Sequence, residues 1–132
     1  VLLPGAGLTP GMRERGFGRI VLITSDTVRR PPSPDLRGYI TSKGALTAFG
    51  RTLAAAPGKD GIAVTSVAPG LTRTPATAYQ PDDAFDAALA TQALPRPLVR
   101  DDVAATVGFL AGDAAEELTG QVLTVDGGSL LR

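Results

Sequence analysis

Hydrophobic positions along the chain fall into blocks of two kinds. Arg19 to Thr24 (RIVLIT) and Ile62 to Ala68 (IAVTSVA) are β-branched and aliphatic runs without regular polar alternation. That pattern predicts strands buried on both faces of a parallel sheet. A third run, Gln121 to Val125, is closed by Asp126-Gly127-Gly128. The other kind is helical. From Gly38 to Ala56 the apolar residues Ile40, Ala45, Leu46, Phe49, Leu53 and Ala54 recur at helical spacing, and Pro57-Gly58 supplies a stop. Asp101-Asp102 opens a further helix over Val103 to Leu110, with both acids at its positive end and Gly112 after it.

The remaining segments are broken. Val1 to Gly18 carries Pro4, Gly5, Gly7, Pro10, Gly11, Gly16 and Gly18, and predicts at best a short helical piece around Met12-Arg13-Glu14-Arg15. Pro31, Pro32 and Pro34 make Ser25 to Arg37 a loop. Residues 71 to 100 are rich in Pro, Thr and Ala, with a short helix over Asp82 to Leu89. The order is strand, helix, strand, broken segment with helix, strand. It predicts a parallel sheet with right-handed crossovers in the doubly wound α/β class. No internal repeat or linker divides the 132 residues, which read as one domain.

Composition narrows the chemistry. The chain has neither Cys nor His, which removes disulfides, thiolate nucleophiles, imidazole relays and the usual zinc sites; no metal site is expected. With 43% hydrophobic and 20% charged residues it reads as a soluble globular protein. Zero net charge argues against nucleic acid as a partner. The longest aliphatic run, Ile20 to Ile23, is far too short for a membrane span, and Val1-Leu2-Leu3-Pro4 lacks the features of a signal peptide. A cytoplasmic location is the expectation. Acid-base work is left to carboxylates, to Tyr39 and Tyr79, and to the two lysines, Lys43 and Lys59.

Tyr39-Ile40-Thr41-Ser42-Lys43 opens the long helix. An i, i+4 pair shares one helix face, so phenol and ammonium can enter one site. A nearby cation favours the phenolate, and a tyrosine so tuned can exchange a proton with a carbonyl or alcohol oxygen. An accidental helical pair has the same spacing. Ser25 follows the first strand, at the carboxyl edge where open parallel sheets bind ligands; it can hold a substrate oxygen, and it equally suits a loop cap. The second strand ends at the same edge in Pro69-Gly70-Leu71-Thr72-Arg73-Thr74. Glycine there permits close backbone approach and the threonines offer hydroxyls, though Pro-Gly is also an ordinary turn.

Serine after an apolar strand, Tyr-x-x-x-Lys, Ala-Pro-Gly-x-x-x-Thr and a closing Leu-Thr-Gly-Gln-x-x-x-Val-Asp-Gly-Gly occur here in order. This set resembles the short-chain dehydrogenase/reductase family, nearest in look to the 3-oxoacyl-(acyl carrier protein) reductases. The resemblance implies a Rossmann-like sheet and hydride transfer between NAD or NADP and a small-molecule carbonyl/secondary alcohol pair. It implies that Tyr39 is the general acid/base, that Lys43 tunes it and binds the nicotinamide ribose, and that Ser25 orients the substrate oxygen. Pro69, Gly70 and Leu71 would border the nicotinamide, with Thr72 and Thr74 near its carboxamide and the diphosphate. Residues 75 to 98 would form the lid over the substrate. The helices around residues 39–56 and 101–111 resemble those that build the family's homo-oligomers.

The chain resembles only the carboxyl-terminal half of such proteins, the last three strands and their helices. The family's Gly-rich diphosphate turn, its residue selecting NAD or NADP, and its catalytic asparagine have no counterpart here. Gly5-Ala6-Gly7-Leu8-Thr9-Pro10-Gly11 superficially reads as such a turn, but a strand must precede one. Thr65 stands where the family often has Asn, and Asp26 puts a charge directly after the serine. The first strand is expected to lie at an open apolar edge through which the chain associates. By this reading the isolated chain is inactive. The alternative is a non-catalytic interaction module that joins full-length relatives.

Overall fold

The computed structural model describes residues 5–55 and 58–131; Val1-Leu2-Leu3-Pro4 and Pro57 of the expected stop lie outside the described residues. Three strands, β1 (Gly18–Ile23), β2 (Ile62–Pro69) and β3 (Val122–Val125), form one parallel sheet in the order β1-β2-β3. Gly18 pairs with Ile62, Ile23 with Val67, and Val67 with Leu123. Among the described residues four α-helices accompany them: α1 (Gly5–Arg15), α2 (Arg37–Ala55), α3 (Asp82–Ala90) and α4 (Arg100–Ala111). The α/β class and parallel sheet expected from the alternating blocks are what the chain adopts, and the predicted strand and long-helix boundaries hold to within a few residues. No described helix is long and apolar enough to cross a membrane.

β2 is the central strand and is buried from Ile62 to Ala68, as its unbroken apolar run requires. Neighbouring residues of a strand face opposite sides of the sheet, and the two sides have different covers. Val21, Val67, Leu123 and Val125 pack with Val103, Val107 and Leu110 of α4 and with Ala115 and Leu118. On the other side Gly50 of α2 lies so close to Leu22 and Ser66 that an added Cβ would sit 2.8 Å from Leu22 Cδ1. Helices thus cover both faces, the three-layer arrangement of the doubly wound class.

The amino-terminal segment departs from expectation. Only Met12 to Arg15 was predicted helical; α1 extends back to Gly5 and carries Pro10 inside it. Its carboxyl end is held from outside the helix. Gly16, at φ +62°, donates to the Arg13 carbonyl, and the Phe17 amide donates to Met12, which is a Schellman closure. The Met12 side chain fills the space over Gly18, and Arg13 pairs with Asp60 at 2.8 Å. With that end anchored, the helix propagates through glycines and one proline that would defeat it in isolation. The Gly5–Gly11 stretch is therefore helix and forms no strand-to-helix turn.

Candidate active site

Because the strands are parallel, their carboxyl ends meet at one edge of the sheet. The Thr24 amide donates to Val67 at 2.7 Å, its hydroxyl to the same carbonyl at 3.1 Å, and the Gly70 amide to Val125 at 2.9 Å. Ser25, Pro69-Gly70 and Asp126 are in this way fixed side by side. An added Cβ on Gly70 would lie 3.1 Å from Asp126 Cα, so the ends of β2 and β3 touch through the glycine.

Ser25 is buried, with 7% of its surface exposed. It caps the short turn Asp26–Val28. Its Oγ accepts from the Thr27 amide at 3.3 Å and the Thr27 hydroxyl at 2.9 Å, and donates over a long 3.4 Å to Asp26 Oδ1. It is a cap, and it stands at the carboxyl edge of the sheet, just after β1. Asp26 is half-buried beside Asp126. Burial, then the neighbouring Asp126 charge, push its carboxyl up to about 6, against the Thr27 amide, the Ser25 hydroxyl and Arg30, which favour the ionised form. Asp126 is 5% exposed and accepts from the Gly128 and Leu130 amides at 3.0 and 2.8 Å.

Tyr39 and Lys43 lie one turn apart near the start of α2. Tyr39 is 46% exposed, and its hydroxyl has no hydrogen-bond partner among the described residues. The Lys43 ammonium is 5.6 Å from the centroid of the Tyr39 ring and donates to the Ile23 carbonyl at 2.9 Å. The lysine thus ties the tyrosine-bearing helix to the strand end that carries Ser25. The helical spacing does bring the pair to one side, but no hydrogen bond joins Ser25, Tyr39 and Lys43 to one another.

Beyond β2 the loop is knitted internally. Thr72 is buried and its hydroxyl donates to the Gly70 carbonyl at 3.0 Å. Thr77, which the sequence did not single out, is the hub: its one hydroxyl proton lies between the Thr72 and Thr74 carbonyls, 2.7 and 3.1 Å away, and its oxygen accepts from the Thr74 amide at 2.9 Å. The signal for it was the Thr-x-x-Thr spacing before a short turn. Leu71, Leu98, and Phe85 and Leu89 of α3 line a small cavity of about 60 Å³. Arg73 stacks on Phe85 at 4.0 Å and pairs with Asp82 at 2.6 Å at its side.

The nicotinamide cofactor implied by the resemblance fits these residues at one end only. Ser25, Lys43 and Pro69 to Leu71 lie at the carboxyl edge of β1 and β2, the edge at which open parallel sheets bind ligands. Among the described residues no glycine-rich turn joins a strand to a following helix, the feature that cradles a diphosphate. Thr72 and Thr74 are already bonded within their own loop. No described cluster of acidic groups could hold a metal ion.

Comparison with known proteins agrees with this architecture. The profile of a family described as enoyl-(acyl carrier protein) reductase matches residues 6–129. The chain is 40% identical over 116 residues to a 3alpha-hydroxysteroid dehydrogenase of Mediterraneibacter gnavus, covering 88% of this chain and 46% of that protein. It is 35% identical over 121 residues to the 3-oxoacyl-[acyl-carrier-protein] reductase FabG of Staphylococcus epidermidis, covering 92% and 49%. Among solved structures, a crystal structure of the TT0495 protein of Thermus thermophilus superposes with a TM-score of 0.84 at 35% identity, covering 92% of this chain and 52% of that one. The chain spans about half the length of the relatives it matches.

Proposed function

The chain belongs to the short-chain dehydrogenase/reductase family, and from that premise we propose that its residues serve an NAD- or NADP-dependent oxidoreductase acting on a carbonyl/secondary alcohol pair. The observation that carries the proposal is the single edge shared by Ser25, Lys43 and the Pro69-Gly70 turn, with the half-exposed Tyr39 ring 5.6 Å from the Lys43 ammonium. The reading concerns these residues as the carboxyl-terminal half of a domain of the family's length, since the matched relatives are about twice as long.

The nicotinamide cofactor, when bound, supplies or accepts the hydride. The protein's part is to manage the oxygen. Ser25 holds the substrate oxygen by a hydrogen bond, and Tyr39 gives that oxygen a proton in reduction or takes it in oxidation. Lys43 keeps a positive charge beside the phenol and anchors the first turns of α2 to β1, which fixes where the phenol stands. Pro69, Gly70 and Leu71 border the reacting ring, and Thr72 and Thr74 shape the loop that follows. The small apolar cavity under α3 belongs to the lid over the substrate. The relatives include a steroid dehydrogenase and an acyl-carrier-protein reductase, so the substrate class is left at small carbonyl compounds. A location in the cytoplasm and assembly with further copies belong to the same reading.

Turnover of NADH and NADPH with a panel of ketones, by a chain of the family's length that carries these residues, tests it. Tyr39→Phe is expected to lower kcat by roughly 10²–10⁴, the worth of a positioned acid/base, while leaving the thermal transition in place. Undiminished turnover in that variant removes Tyr39 from the role. A second reading, a module that associates with other chains, draws on one observation. β1 lies at the edge of the sheet, with Ile23 41% exposed. Sedimentation at increasing concentration tests it, a monomer throughout being the outcome against it.

A further inference from the structure

The inference deepens the reading above and rests on it: Ser25 is taken to hold the substrate oxygen, and the question is what sets its hydroxyl. We propose that Asp26 is a positioning residue for Ser25, holding the serine proton when ionised and releasing it toward a carbonyl substrate when protonated.

The hydrogen-bond inventory carries this. A serine hydroxyl has one proton and two lone pairs. Both lone-pair positions of Ser25 are taken, by the Thr27 hydroxyl at 2.9 Å and the Thr27 amide at 3.3 Å. Its one proton is directed at Asp26 Oδ1, 3.4 Å away. In that state the buried serine has nothing left to offer a carbonyl oxygen, which needs a donor. Protonation of Asp26 by solvent removes the anionic acceptor, and the Ser25 O–H is then free to turn to the substrate. The 3.4 Å contact is the longest of the three, so it is the one that loss of the Asp26 charge releases.

The surroundings of Asp26 favour the neutral acid. Asp126 faces it from the end of β3, itself fixed by the Gly128 and Leu130 amides. Arg30, on the same loop, opposes it and shares its guanidinium with the Ser129 hydroxyl at 3.4 Å. α2 packs on the same turn through Gly44 against Val28, and its Lys43 is committed to the Ile23 carbonyl. Burial and Asp126 together bring the Asp26 carboxyl up to about 6, so the exchange falls within the pH range of an ordinary enzyme assay.

Two measurements test it. The first needs no turnover: carboxyl ¹³C titration of aspartate-labelled protein, wild type against Ser25→Ala. A midpoint for Asp26 near 6 that rises when the serine donor is removed supports the coupling. A midpoint in the ordinary carboxylate range, or one that Ser25→Ala leaves in place, overturns it. The second is kcat/KM for ketone reduction from about pH 5 to about pH 8, by a chain of the family's length that carries these residues. Wild type is expected to lose roughly two- to tenfold as pH rises through about 6, the worth of one hydrogen bond, mostly through KM. Asp26→Asn, which keeps shape and cannot ionise, is expected to hold the low-pH value throughout. A step that persists in Asp26→Asn overturns the proposal. If a chain of the family's length that carries these residues turns over no ketone at any pH, the oxidoreductase reading fails, and the titration alone decides whether Asp26 governs Ser25.

Discussion

Replacing Asp26 by Asn gives a stability test of the site that is independent of catalysis. The carboxyl titrates at 3.8 in an unperturbed chain and at about 6 in the fold, because burial and Asp126 both penalise its charge. Its folded value is raised, so the stabilisation is fully present below the unfolded value and is lost as pH rises through the folded one. The window runs from about pH 4 to about pH 6. At full weight the displacement corresponds to roughly 3 kcal/mol against the ionised fold. The group is only half-buried, and solvent screening reduces this to roughly 1–2 kcal/mol. Asn preserves the shape and an acceptor oxygen while carrying no charge. The expected result is that Asp26→Asn and wild type have similar stability near pH 4. The variant then becomes the more stable by about 1–2 kcal/mol at pH 7, or roughly 3–8 °C in Tm for a chain of this size. Urea unfolding at intervals from about pH 4 to about pH 7 reads the difference directly. A difference that does not change with pH refutes the reasoning, since only ionisation of Asp26 can generate the slope.

Three further outcomes follow from the packing. Gly61 has φ +72°, and an added Cβ would lie 2.1 Å from the Gly16 carbonyl oxygen, so Gly61→Ala is expected to cost at least about 2–4 kcal/mol. Gly58→Ala, three residues earlier with nothing within 4 Å of its Cβ position, is the control and should leave the urea midpoint nearly unchanged. Val67→Ala, at a fully buried core position under α4, is expected to cost about 2–3 kcal/mol in the same assay. Asp102 accepts from the Val99 amide and from both Arg96 terminal nitrogens, and Arg96 first, then that amide, hold its carboxyl down at about 2. Its contribution is present above the usual carboxylate value and is lost as pH falls toward about 2. In acid unfolding, Asp102→Asn should therefore be less stable than wild type above about pH 4 and converge with it near pH 2.

Much of the architecture was legible in the amino-acid order because it follows from periodicity. A strand buried on both faces has to be apolar throughout, and Ile62 to Ala68 is; a helix lying on a sheet has to bury one stripe, and Ile40 to Ala54 supplies it. The Tyr39/Lys43 pair and the serine after β1 were legible for the same reason, since helical spacing and a strand end are local properties. α1 was not. Its glycines and Pro10 speak against a helix, and the bonds that anchor its end come from Gly16, Phe17 and Asp60, the last of these 45 residues beyond Arg15.

By itself, then, the sequence determined the alternation of elements, the parallel sheet and the family to which the chain belongs, because each rests on short-range pattern. Only the tertiary structure decided how the site is wired. Nothing in the order of residues says that the Lys43 ammonium sits on the Ile23 carbonyl, that Thr77 rather than Thr72 or Thr74 ties the loop after β2, or that Asp126 stands beside Asp26 a hundred residues away. Hydrogen bonds and charges act over a few ångströms in space. The sheet brings the ends of β1, β2 and β3 within that range, and what had been only an unusual charge after a serine acquires a neighbour that changes its proton affinity.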